Sequence, residues 1–206
     1  MNLSLYSAVV SGFEIKRIIH SVALMNTISN AIEKQILKEN MPVDLYAGFQ
    51  RLSFFEYQQA TYRQLDSVCQ SVTVFGVLDI EPPPFPKTEF AALDPDSALA
   101  QEWFMVVDTP QFWTLLSTQE LTPDPSTGRR RFEGVWTFDA VVVARASRYL
   151  RHALGRPSQT VTRRSERAQE ENVAALKERM LQQIKRKGLP LTPEYLDTKA
   201  FPGNSR

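Results

Sequence analysis

The chain has 206 residues, 43% apolar and 23% charged, with a formal net charge of +1 and a single cysteine. That composition belongs to an ordinary globular protein; it excludes a disulfide scaffold and argues against a polybasic nucleic-acid binder, since 24 cationic residues face 23 anionic ones. No apolar run reaches the roughly 18–20 residues a membrane-spanning helix needs; the opening MNLSLYSAVVSGFE lacks the features of a secretory signal, so with unpaired Cys69 the cytoplasm is the expected compartment.

In chain order, Leu24, Ile28, Ala31, Ile32 and Ile36 recur at helical spacing, and Asn40 with Pro42 stops that helix. Residues 43–49 read as a strand. Ser53-Phe54-Phe55-Glu56 has the form of a capping box, after which Tyr57, Thr61, Leu65 and Val68 share a helix face. Residues 72–78 and 103–107 carry apolar side chains on both pleat faces, as strands covered by helices on both sides require. The connection 81–95 leaves room for an antiparallel edge strand, and its Pro82, Pro83, Pro84 and Pro86 make it a stiff spacer. Asp108 or Thr109 is placed to cap a helix with Pro110 in its first turn, ended by Leu121 and Pro123. Residues 131–138 form the last strand, with Phe132, Gly134, Trp136 and Phe138 on one face; Asp139 then caps a helix running to Leu154 and stopped by Gly155. The expected class is α/β: a mainly parallel or mixed sheet of about four or five strands flanked by helices, plus a C-terminal extended helix and tail.

Charge divides the chain near Gly155, with a net of −4 over 1–155 and +5 over 156–206. The first part, which holds Trp103, Trp113 and Trp136, is expected to be an α/β domain; the second is expected to be a basic linker, an amphipathic helix over 161–187 and a flexible tail. Val173, Leu176, Met180 and Ile184 form an apolar stripe that needs a partner: the domain itself, a second copy or another protein. Lys185, Arg186 and Lys187 complement the helix dipole or face an acidic docking surface, and these seven residues are the candidate protein contacts.

Asp79, Asp108 and Asp139 each follow a strand, where converging carboxylates would hold Mg²⁺ for hydrolysis; capping and turn roles account for all three. Neither phosphate-cradling glycine motif is present. His20 and His152 read as ordinary helix residues and Cys69 as a small core residue, so no enzyme activity, metal or cofactor is expected. Arg129-Arg130-Arg131 reads as a solvated turn running into an edge strand. A cluster of Phe49, Gln50, Arg51, Phe54, Phe55 and Tyr62 faces Trp103, Phe132, Glu133 and Trp136 if their strands are neighbours. It reads as plain core or as the wall of a small-molecule pocket, and Arg51 with Glu133 reads as part of that pocket or as a structural ion pair.

Phe49-Gln50-Arg51 with Phe54 or Phe55 and Tyr62, then Val72-Thr73-Val74-Phe75-Gly76, Glu102-Trp103-Phe104-Met105-Val106-Val107 and Phe132-Glu133-Gly134-Val135-Trp136-Thr137-Phe138-Asp139 resemble the DICT sensory domain over about residues 3–155. That family occurs chiefly in cyanobacteria, is named for its attachment to diguanylate cyclases and two-component systems, and has been linked to light-related signalling and to the MEDS sensory domain. The resemblance implies a cytoplasmic signalling module, light- or redox-related, that acts through protein contacts because only a basic helix and tail follow the domain. Two other readings stay open: a structural or assembly adaptor docking through the C-terminal segment, and a Mg²⁺-dependent hydrolase using the three aspartates.

Overall fold

The computed structural model describes residues 4–13, 15 and 17–189. Seven strands, β1 (Ile18–Ser21), β2 (Asp44–Arg51), β3 (Ser71–Val77), β4 (Thr88–Ala92), β5 (Glu102–Asp108), β6 (Trp113–Leu121) and β7 (Arg131–Thr137), form one sheet in the order β1-β7-β6-β5-β2-β3-β4. The sheet is mixed: β2, β3 and β4 run parallel, and every other neighbouring pair is antiparallel. Among the described residues five α-helices flank it: α1 (Leu5–Val10), α2 (Val22–Lys38), α3 (Gln59–Val68), α4 (Ala140–Ala153) and α5 (Glu166–Lys187). Apolar residues of α2, α3 and α5 pack on one face with Leu45, Ala47, Met105 and Leu116. Those of α1 and α4 pack on the other with Tyr46, Phe104, Val106 and Leu115. Successive residues of β2 and β5 thus feed opposite cores, which is why these strands read as continuous apolar runs.

The expected α/β class and mixed sheet hold, with more strands than anticipated and two of the six strand pairings parallel. The 81–95 connection does contain an edge strand, β4, but it lies parallel to β3, with Val74 opposite Phe90. Residues 113–121 are strand, not helix. Thr109 makes the difference: its hydroxyl donates to the Phe112 carbonyl at 2.7 Å and accepts from the Phe112 amide at 3.1 Å. Pro110 thereby starts a tight turn, and Asp108 pairs with Trp113 across a hairpin. The Ser53 capping box does not form either. The Ser53 amide and hydroxyl both donate to the Asp79 carboxylate, at 2.9 and 2.7 Å, so Leu52–Gln58 is a 3₁₀ helix and α3 starts at Gln59 without a side-chain cap. His20 lies in β1 rather than in a helix, and β7 is covered by β1, so Arg131 does not begin an edge strand.

The local signals around α4 act as expected: Asp139 accepts from the amides of Val141 and Val142, and Gly155 takes φ +66° after the last turn. Residue 155 does not end the folded unit, because Val173, Leu176, Met180 and Ile184 are buried in the same core as α2. Gln169 anchors the start of α5 to β6 through both the amide and the carbonyl of Trp113, at 3.0 and 2.8 Å. Of the flexible tail expected after the helix over 161–187, residues 190–206 lie outside the described residues.

Candidate ligand pocket

A cavity of about 440 Å³ opens between α2 and the sheet, within the size range of small-molecule sites. One wall is a polar stripe on α2, Asn26, Ser29, Asn30 and Glu33, whose spacing of three and four residues puts all of them on one helix face. The floor is Ala47 and Gly48 on β2 with Met105 on β5. Gly48 is required there because a Cβ would stand 2.3 Å from the Phe104 ring. Phe49, Tyr62 and Trp103 form the aromatic sides, and Phe54 and Tyr57 of the 3₁₀ helix overhang the opening. The Trp103 indole donates to the Ser29 hydroxyl at 3.2 Å, which fixes its plane as a wall.

After Gly48 the β2–β3 register shifts and Gln50 adopts φ +62°, so the strand bulges beside the cavity. The bulge aims Gln50 into a clamp on the rim. Its amide donates to Glu120 at 2.9 Å and its oxygen accepts from Arg130 at 2.5 Å. Arg130 also grips both oxygens of Glu120, at 2.6 and 2.7 Å, and stacks over Phe54 and Phe132. These hydrogen bonds hold the Glu120 carboxyl below its usual range and push the Arg130 guanidinium up.

The deep end differs. Glu33 is 2% exposed and Tyr62 is fully buried; the two side chains interact with each other, yet neither Glu33 Oε2 nor the Tyr62 hydroxyl has a well-formed hydrogen bond. Burial pushes the Glu33 carboxyl up to about 8 and the Tyr62 hydroxyl well above its normal value. Buried polar atoms without partners are rare in folded proteins because each forfeits hydration with nothing in return.

The anticipated cluster is only partly assembled. Phe49, Tyr62 and Trp103 line the cavity; Phe55 lies beneath it as core, with its ring 5.3 Å from Phe49 and 4.9 Å from Tyr62. Phe132 backs Trp103 at 5.8 Å, and Gln50 belongs to the rim clamp. Arg51 and Glu133 do not meet: Arg51 lies 3.9 Å from Asp79, whereas Glu133 accepts from the Tyr6 hydroxyl at 2.6 Å and lies 3.7 Å from Arg17. Trp136 donates to Thr114 at 3.1 Å and contributes nothing to the pocket lining. Lys187, anticipated as a partner contact, reaches the cavity rim, while Lys185 and Arg186 are exposed. Arg130 was anticipated as solvated and is instead clamped. Glu33 and the α2 polar stripe were missed, although their 26/29/30/33 spacing beside the apolar stripe was a legible signal.

The three aspartates do not converge. Asp79 follows a strand antiparallel to β5 and β7, so it leaves the sheet at the opposite end from Asp108 and Asp139. Asp108 pairs with Arg164 at 2.5 Å and Asp139 caps α4. Among the described residues no three His, Cys, Asp or Glu side chains are grouped to hold a metal, and no helix is long and apolar enough to cross a membrane.

A family model described as "Sensory domain in DIguanylate Cyclases and Two-component system" (DICT) matches residues 2–121. Neither a curated protein nor a solved structure matches the chain. The phrase at 132–139 lies beyond the matched segment, whereas every residue lining the cavity except Arg130 and Lys187 lies within it. Because it spans more than half of the sequence, this match makes the chain a member of the DICT family of sensory domains.

Proposed function

We propose that this DICT domain is a non-catalytic cytoplasmic sensor that binds a small molecule between α2 and the sheet and passes the binding event to other proteins through α5. The observation that carries the reading is the pair of buried polar atoms without a well-formed hydrogen bond, Glu33 Oε2 and the Tyr62 hydroxyl, where the polar stripe of α2 meets the aromatic side of the cavity. α2 links input to output. Its other side holds α5 through Gln35, which donates to Asn172 at 2.7 Å and accepts from Arg179, and Lys187 reaches Thr27 at 3.5 Å from the cavity rim. A shift of α2 on ligand binding therefore moves the exposed Lys185 and Arg186, which are the proposed contacts to an acidic partner surface.

The adaptor reading loses its main support, because the apolar stripe of α5 is already buried against its own domain. A redox signal through Cys69 gains none: the thiol is buried and pushed up to about 12, which leaves it unreactive. A light response would require a pigment in the cavity.

The test is mass spectrometry of small molecules released from the natively purified full chain, compared with Asn26→Trp, which fills the cavity. The expected outcome is a molecule carried by the parent and lost from the variant. Equal recovery from both chains, or none from the parent together with no thermal shift across a metabolite panel, overturns the reading.

A further inference from the structure

The cavity's own chemistry narrows what it takes. Its inner end offers two buried oxygens, Glu33 Oε2 and the Tyr62 hydroxyl, which interact with each other but make no well-formed hydrogen bond to any described residue. Around them stand the faces and edges of Phe49 and Trp103, with Phe54 and Tyr57 nearer solvent. The charged groups that act on Glu33 are few: Lys34, its neighbour on α2, attracts it, and Tyr62 on α3 faces it. Arg130 and Lys187 sit on the rim, and Arg130 is already neutralised by Glu120. An anionic ligand group at the deep end would leave the carboxyl neutral and gain only hydrogen bonds from it and from the Tyr62 hydroxyl, whereas a nitrogen cation lets Glu33 ionise into a charge pair and meets several aromatic faces.

We infer that the pocket binds a flat aromatic cation, of the amine or amidine class, with its charged nitrogen seated against Glu33 and the Tyr62 hydroxyl and its ring between Phe49 and Trp103. The assignment rests on the small-molecule reading above and adds the ligand's charge and orientation. Two consequences are built in. In the empty cavity burial keeps the Glu33 carboxyl protonated near neutral pH, so seating a cation expels that proton to solvent and leaves a carboxylate–cation pair. Lys187 reaches Thr27, six residues before Glu33 on α2, and so leaves the outer end of the ligand free to carry an anionic or polar substituent.

The experiment is calorimetry of the full chain with three matched probes: 2-naphthylmethylamine, 2-naphthylmethanol and 2-naphthylacetate. The amine is expected to bind at least about tenfold tighter than the other two, a difference of about 1.4 kcal/mol. Its heat should vary with buffer ionisation enthalpy as one proton is released. Glu33→Gln should reduce the amine to the affinity of the alcohol and abolish proton release, and Tyr62→Phe should weaken it less. If the alcohol or the acetate binds as well as the amine, and Asn26→Trp blocks all three, the cation assignment fails while the pocket reading stands. Amine binding that survives both Glu33→Gln and Asn26→Trp overturns the assignment and places the probe outside this cavity. No binding of the amine at millimolar concentration overturns the assignment too, and the pocket reading is then decided separately by the released-molecule measurement.

Discussion

The two faces of the sheet each bury a glutamate, and the protein treats the two differently. On the face covered by α1 and α4, Glu102 accepts from the Ser4 hydroxyl at 2.6 Å and the Tyr6 amide at 3.0 Å, so its carboxylate ties α1 to the start of β5. On the face covered by α2, α3 and α5, Glu33 is equally buried but its Oε2 has no donor. Burial raises both carboxyls; the hydrogen bonds at Glu102 offset part of that and leave it near 7, while the Lys34 charge and the Tyr62 hydroxyl offset less at Glu33, which reaches about 8. A buried carboxyl with its donors in place is a structural tie. One facing a cavity without donors costs stability, and a cost of that kind persists where a ligand is bound.

The largest effect that would break this contrast is expected at Glu102. Glu102→Ala leaves the Ser4 hydroxyl and the Tyr6 amide unpaired and should cost about 2–3 kcal/mol in urea unfolding, with loss of amide protection in α1. A loss under half a kilocalorie would mean that Glu102 is no more a tie than Glu33.

Glu33→Gln should do the reverse above neutrality. The folded-state pKa of Glu33 lies above the usual value of 4.5, so the folded chain holds this proton more tightly than the unfolded chain does. The stability it contributes is fully present below about pH 4.5 and is lost as pH rises through about 8. Glutamine cannot ionise, so the variant should be more stable than the parent at pH 9 by on the order of 2–4 kcal/mol. The parent's decline between about pH 4.5 and 8 should become shallower in the variant, and the slope that remains up to about pH 7 belongs to Glu102, which shifts in the same direction. Parallel stability-against-pH curves for parent and variant would contradict the burial of a carboxyl at this point.

The smallest effect is expected at Arg51, which the sequence placed in the input cluster. Its side chain is 58% exposed and 3.9 Å from Asp79, so Arg51→Ala should change stability by no more than about 0.5 kcal/mol and leave probe binding unaltered. Weakened binding of the naphthyl amine would return Arg51 to the site.

Much of the architecture was legible because it is encoded by neighbours along the chain. The Leu24–Ile36 periodicity, the Asp139 cap and the Gly155 stop each depend on groups within a few residues, and each appears where expected. β6 was not legible. Trp113, Leu115 and Leu116 feed both cores, so no period-two alternation marks the strand, and Thr109 before Pro110 has the form of a helix cap until its hydroxyl is seen closing a turn on Phe112. Ser53 misled for a similar reason, because the acceptor that captures it, Asp79, lies 26 residues away. In the pocket, Phe49, Tyr62 and Trp103 were found because aromatic side chains announce themselves; Glu33 was passed over because one charge beside an apolar stripe looks like a solvated helix flank.

By itself, then, the sequence determined the family, the α/β class and the elements whose starts and stops are local, since hydrogen bonds and dihedral preferences within a few residues decide those. Only the tertiary structure decided that β5 pairs with β2, which brings Trp103 and Phe49 to one cavity, and that α5 folds back on α2, which buries its apolar stripe and brings Lys187 to the same cavity as Glu33. Those are choices among distant partners of equal local merit, and burial of the whole apolar surface, not any short segment's preference, selects between them.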